Sequence, residues 1–169
     1  ARRQRITEMT TFMEGQPADC RDDFRGQMID RAEFDRQLLT EACAKGADCR
    51  FGTILRSLDT NGVVFLSSGV RVTARVIVGA DGPHSAVGAA IGQVNRHLVE
   101  TRQVTVPLLE PHKATDIFLS ANLVGGYGWM FPKGAFANIG AGVATAAKAR
   151  LKKLVADLHA RLVAEGRVG

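Results

Sequence analysis

Val76-Ile77-Val78-Gly79-Ala80-Asp81-Gly82-Pro83-His84-Ser85 begins as a strand, breaks as a turn and ends where a short helix starts. Three consecutive apolar residues suit a strand buried on both faces, and the Gly-Ala-Asp-Gly-Pro run that follows cannot continue it. A carboxylate between a strand and a helix is placed to accept hydrogen bonds from a ribose diol. The glycine beside it lets the backbone approach a phosphate-bearing ligand closely. Asp81 and Gly82 are therefore candidate dinucleotide-binding residues, although Asp-Gly after a strand is also a common turn.

Residues 50–58, 63–67 and 70–78 are β-rich runs joined by Asn61-Gly62 and Ser67-Ser68-Gly69, which predicts a three-stranded antiparallel meander. Before it, Asp30 and Glu33 have capping-box spacing, and Phe34, Leu38, Leu39 and Ala42 follow on one helical face up to Lys45-Gly46. Arg31 opens this helix with a permanently charged guanidinium suited to a phosphate or a flavin edge, or simply to solvent. Residues 1–28 show no clear period and read mostly as loop with one short strand. Downstream, residues 101–143 read as a second sheet, and Leu151, Leu154, Val155, Leu158 and Leu162 recur at helical spacing up to Gly166. Tyr127, Trp129 and Phe131 alternate, so one strand face carries all three. That face either packs a core or lines an apolar pocket. Gly140 and Gly142 suit the approach of a ligand or tight sheet packing.

Asp30-Arg31-x-x-Phe34-Asp35-x-x-Leu38, a helix closing at Gly46, and Val78-Gly79-Ala80-Asp81-Gly82-x-x-Ser85 together resemble the middle of the large FAD-dependent hydroxylase and reductase superfamily. Within it, Tyr127-Gly128-Trp129-Met130-Phe131-Pro132, followed by Asn138-Ile139-Gly140-Ala141-Gly142, resembles the Tyr-x-Trp-x-Phe-Pro signature of geranylgeranyl reductases. The resemblance covers about residues 28–150 and implies an α+β fragment of a two-lobe FAD-binding flavoprotein. Its parts are an antiparallel meander and helices, then a second β-sheet and a C-terminal helix, with residues 1–96 a partial FAD-binding lobe and 97–169 a partial substrate-binding lobe. It further implies FAD as cofactor, with Arg31, Asp81 and Gly82 near it. Tyr127, Trp129 and Phe131 would lie beside the substrate, a prenylated lipid or tetrapyrrole whose double bonds are saturated. Two departures stand out. Ser85 is followed by Ala86-Val87-Gly88-Ala89 rather than a Val-Arg-Arg-like run, and neither the family's GxGxxG turn nor its later Gly-Asp motif is present, so the chain reads as excised from something longer. An aromatic monooxygenase of the same superfamily is one alternative. A non-catalytic apolar-ligand module, resting its basic terminal helix on a membrane surface, is the other.

Composition narrows the field. The 169 residues are enough to bury a core, and no apolar run is long enough to span a bilayer. The net charge of +5 comes from dispersed Lys and Arg with few aromatics between them, which argues against nucleic acid. Cys20, Cys43 and Cys49 form no CxxC pair, and the four histidines share no ligand spacing, so neither a disulfide framework nor a metal site is expected. A cytoplasmic protein, with a peripheral membrane contact kept open, fits this usage. No side chain stands out as a catalytic proton donor, and the sequence does not identify the reductant of the flavin.

Overall fold

The computed structural model describes residues 1–59 and 61–169. It divides into two compact units, Ala1–Thr40 with Val99–Gly169, and Glu41–Leu98. The first 40 residues group with the C-terminal part and not with residues 41–98.

The larger unit is built on a six-stranded sheet of β2 (Glu8–Met13), β3 (Asp19–Arg21), β8 (Val99–Pro107), β9 (Ala114–Leu119), β10 (Gly128–Lys133) and β11 (Phe136–Ala144). The order is β3-β2-β9-β10-β11-β8. Every neighbouring pair is antiparallel except β2 with β9, which run parallel from Glu8 opposite Ala114 to Met13 opposite Leu119. A two-stranded ribbon of β1 (Arg2–Ile6) and β4 (Gly26–Ile29) belongs to the same unit.

Residues 1–28 are thus corrected from loop to strands. Their period was hidden because the β2 side chains are only half-buried and the β3 side chains exposed, so neither strand needs a clean apolar alternation. Pro132 is tolerated inside a sheet because β10 pairs with β9 only from Gly128 to Met130, so its missing N–H falls beyond the last β9 partner.

One face of this sheet carries the core. Val106, Phe118, Met130, Ala137 and Ile139 pack with Leu162 and Val168, and a second cluster joins Leu123, Ala141 and Val143 to Leu151 and Val155. The helix that supplies Leu151, Val155 and Leu162 is α3 (Leu151–Ala164), entered through a 3-10 turn at Thr145–Arg150. It ends as expected at Gly166, whose φ of +68° reverses the chain, and the tail returns to bridge Leu108 with Val168.

The smaller unit holds the expected meander, β5 (Leu55–Leu58), β6 (Val63–Leu66) and β7 (Arg71–Thr73), and a short α2 (Ala86–Ala90). β7 stops at Thr73, and Val76 and Val78 are 76% and 81% exposed. The expected buried strand at 76–78 is therefore not formed, since none of the described strands pairs with it.

α1 (Arg31–Ala44) forms where the spacing predicts it, but no residue of it is buried and Leu38 is exposed. Its cap is half a capping box. Asp30 Oδ1 accepts the Glu33 N–H at 3.2 Å, but the Asp30 N–H is already taken by Ala1 O, so the Glu33 carboxylate turns outward to Arg36 and Gln37.

Candidate functional site

In the smaller unit the turn at 79–85 is built around Asp81. Its Oδ1 accepts the Ser85 hydroxyl, while Oδ2 accepts the N–H groups of Ala86 at 2.7 Å and Val87 at 3.3 Å. Ser85 in turn caps α2, its Oγ accepting the Gly88 N–H at 2.7 Å. The Ser85 hydroxyl, followed by these amides, holds the Asp81 carboxyl below the usual carboxylate range.

Asp81 therefore organises its own turn. Of the roughly four lone-pair positions of a carboxylate, these three hydrogen bonds use most. Gly82 has φ +85° with open space around its Cα, so its need for glycine is conformational. Gly79 differs, because a Cβ there would lie 2.8 Å from Val87 Cβ, so its absence lets the turn pack onto α2. A cleft of about 580 Å³ adjoins the turn, lined by Ile77, Gly79, Ser85, Val87 and Ile91.

Arg31 stands at the first residue of α1, its guanidinium on Asp35 at 3.2 and 3.3 Å, one helical turn on. Both side chains are well exposed, and such a pair contributes little to stability. Asp30, which caps the helix, is held below its ordinary value first by the Arg3 guanidinium at 2.5 Å and then by the Glu33 amide.

The aromatic residues lie in the larger unit, on the sheet face away from α3. Met130 is completely buried in the α3 core, so its neighbours Trp129 and Phe131 point the other way. The Tyr127 and Trp129 rings meet edge to face at 5.8 Å, and those of Trp129 and Phe131 stack at 5.7 Å, giving one continuous aromatic surface. Tyr127 is 44% exposed and Trp129 only 8%.

Gly140, the register partner of Trp129, makes that burial feasible. A Cβ there would overlap the indole and lie 2.6 Å from Arg102 O. The room at Gly140 is thus taken by Trp129 and not left for a ligand. Among the described residues, the buried side-chain polar atom without a partner is Trp129 Nε1. An unsatisfied buried N–H costs about 1–3 kcal/mol.

The opposite face carries an ionic cluster that sequence reasoning missed. Asp116, 0% exposed, is held by Arg167 and receives His112 Nε2 at 3.1 Å from both oxygens. The available signal was Asp116 itself, a charge alternating with Ala114 and Phe118 on the apolar side of a strand. A cleft of about 470 Å³ also opens on this side between Phe12, Phe118, Leu154 and Leu158. Arg161 lies 5.4 Å over the Phe118 ring but is tied to Glu165 at 2.7 Å.

The family model described as FAD binding domain matches residues 7–120. Digeranylgeranylglycerophospholipid reductase of Methanocaldococcus jannaschii is 29% identical over 135 residues, covering 72% of this chain and 34% of that protein. The enzyme of the same name from Methanothrix thermoacetophila is 35% identical over 137 residues, 70% of this chain and 34% of its own. This chain thus spans about a third of the length of these relatives.

Among solved structures, a geranylgeranyl bacteriochlorophyll reductase-like protein from Thermoplasma acidophilum superposes with a TM-score of 0.78 at 20% identity, over 91% of this chain and 45% of that one. 2-Methyl-3-hydroxypyridine-5-carboxylic acid oxygenase gives 0.59 at 19% identity, over 85% and 42%. At these identities the two structures establish the shared fold alone. The matched span runs from the end of β1 through α1, the meander, the Asp81 turn and β9, which is more than half of the chain, and on that ground this protein belongs to the FAD-binding domain family.

Proposed function

We propose that these residues belong to an FAD-dependent reductase that saturates double bonds in the geranylgeranyl chains of a prenylated glycerophospholipid. The observation that carries this reading is the aromatic surface of Tyr127, Trp129 and Phe131, which presents apolar area where an isoprenoid tail has little else to offer. The names of the relatives support the same substrate class.

Bound FAD, when reduced, supplies a hydride to an alkene carbon. The Asp81 turn fits part of such a cofactor. Its remaining acceptor position takes a ribose hydroxyl, and Gly82 keeps the backbone bare beside it. Arg31 offers the N–H groups that Asp35 leaves unused to an anionic oxygen. Tyr127, Trp129 and Phe131 exclude water from the tail.

Tyr127→Ala in the whole protein tests the pocket, because this ring is the exposed end of the surface and its loss leaves the sheet core intact. At about 25 cal/mol per Å² of apolar area, the lost contact is worth roughly 1–2 kcal/mol. The expected result is kcat/KM for a geranylgeranyl lipid lowered roughly five- to thirtyfold, with flavin content and thermal stability near the parent's. Unchanged kcat/KM would remove the aromatic face from the substrate site.

A further inference from the structure

Exposed apolar side chains of the larger unit stand along one end of its sheet. Met13 closes β2 and lies opposite Leu119, the last residue of β9. The chain then turns through Val124, whose carbonyl accepts the Ala144 N–H at 2.8 Å, to Tyr127 just before β10. Val99, the first residue of β8, lies opposite Ala144, the last of β11. Met13, Leu119, Val124, Tyr127 and Val99 are 36–55% exposed. With strands roughly 4.8 Å apart, this rim runs about 19 Å from β2 to β8. Cations join the same end, because the 3-10 turn carrying Lys148 and Arg150 leaves β11 there and α3 starts there with Lys152 and Lys153. Arg150 donates to Asn122 Oδ1 at 2.8 Å, which fixes this segment beside the Val124 loop. All these cations are exposed. Lys153 is paired with Asp157, whereas Lys148, Arg150 and Lys152 have no acidic partner among the described residues. Glu14, which accepts the Ser120 hydroxyl at 2.8 Å, and Glu100, next to Val99, offset part of the positive charge.

We infer that this end of the sheet docks on an anionic lipid surface. Lys148, Arg150 and Lys152 meet the lipid phosphates, and the apolar side chains enter the boundary between headgroups and acyl chains. An apolar rim alone would suit many partners. The cations beside it select a surface that is negative outside and apolar just beneath, which is a bilayer carrying acidic lipids. Tyr127 stands in this rim and also opens the aromatic surface, so a prenyl chain drawn from the bilayer reaches Trp129 and Phe131 by way of it. That last step rests on the reductase reading, whereas the docking itself does not.

The test mixes the whole protein, without reductant, with vesicles of saturated phosphatidylcholine, alone or with saturated phosphatidylglycerol added, and measures the bound fraction by sedimentation. The expected result is binding to the anionic vesicles that weakens with added salt and is lost without phosphatidylglycerol. Lys148→Glu combined with Lys152→Glu is expected to lower the partition coefficient by about tenfold or more. Val124→Asp, which removes an apolar contact instead of a cation, lowers it as well, and both variants keep the parent's thermal stability. Lys133→Glu, at the opposite end of β10, leaves it unchanged. Protein that stays in the supernatant with every vesicle, or anionic-vesicle binding that the rim variants leave as strong as the parent's, would overturn the inference. These lipids have no double bond to reduce, so docking is read apart from turnover. Protein that sediments with the anionic vesicles but reduces no geranylgeranyl lipid keeps the docking and loses the reductase reading.

Discussion

Asp116→Ala is expected to destabilise the larger unit by about 3 kcal/mol, because it leaves the Arg167 guanidinium largely out of water with only its looser ion pair to Glu165 at 3.5 Å. The carboxylate is completely buried and holds both Arg167 and His112, whose side chains are only 21% and 28% exposed. Breaking such a pair costs far more than a surface ion pair, since the surviving charge loses its buried partner without regaining full hydration. Arg167 also ties down the C-terminal tail, its carbonyl accepting the Leu109 N–H at 3.1 Å beside the Leu108–Val168 bridge. Urea unfolding followed by the fluorescence of Trp129, the chain's single tryptophan, measures the loss. Arg167→Met alone is expected to cost a similar amount, and the double variant less than the sum of the two. Strict additivity would show that Asp116 and Arg167 do not act as one unit.

Gly140→Ala is the second large effect expected. The added methyl meets the Trp129 indole on one side and Arg102 O on the other, so the ring cannot keep its place without the strand moving. Overpacking of this kind costs about 1–3 kcal/mol. Displacing the ring also breaks its stack with Phe131 and its edge contact with Tyr127. The emission of Trp129, 8% exposed in the parent, is expected to shift to the red as the indole becomes hydrated. An unshifted spectrum with unchanged stability would mean that the indole does not rest on Gly140.

The elements legible in the sequence were those whose pattern answers to a single neighbour. α3 buries one stripe on one sheet face, so Leu151, Val155 and Leu162 recur at helical spacing. The meander is marked by its turn residues, and the alternation of Tyr127, Trp129 and Phe131 follows from the strand pleat alone. What stayed hidden depends on partners distant in sequence. β2 is a strand because it lies parallel to β9, more than a hundred residues away, and its mixed Thr, Met and Glu side chains carry no such instruction. Val76-Ile77-Val78 shows the reverse error, an apolar run that local composition marks as a strand but that finds no ladder among the described residues. At the candidate site, the position of Asp81 after a meander was readable, whereas its use as the organiser of the Ser85 cap was not, because that depends on where two backbone N–H groups point.

The most direct measurement is the mass of the product formed when the whole protein, with FAD kept reduced and oxygen excluded, is incubated with a digeranylgeranyl glycerophospholipid. The expected product is heavier by two hydrogens for each double bond saturated and contains no added oxygen. A lipid recovered unchanged under these conditions, or a hydroxylated product that forms only when air is admitted, would contradict the assignment as an isoprenoid reductase.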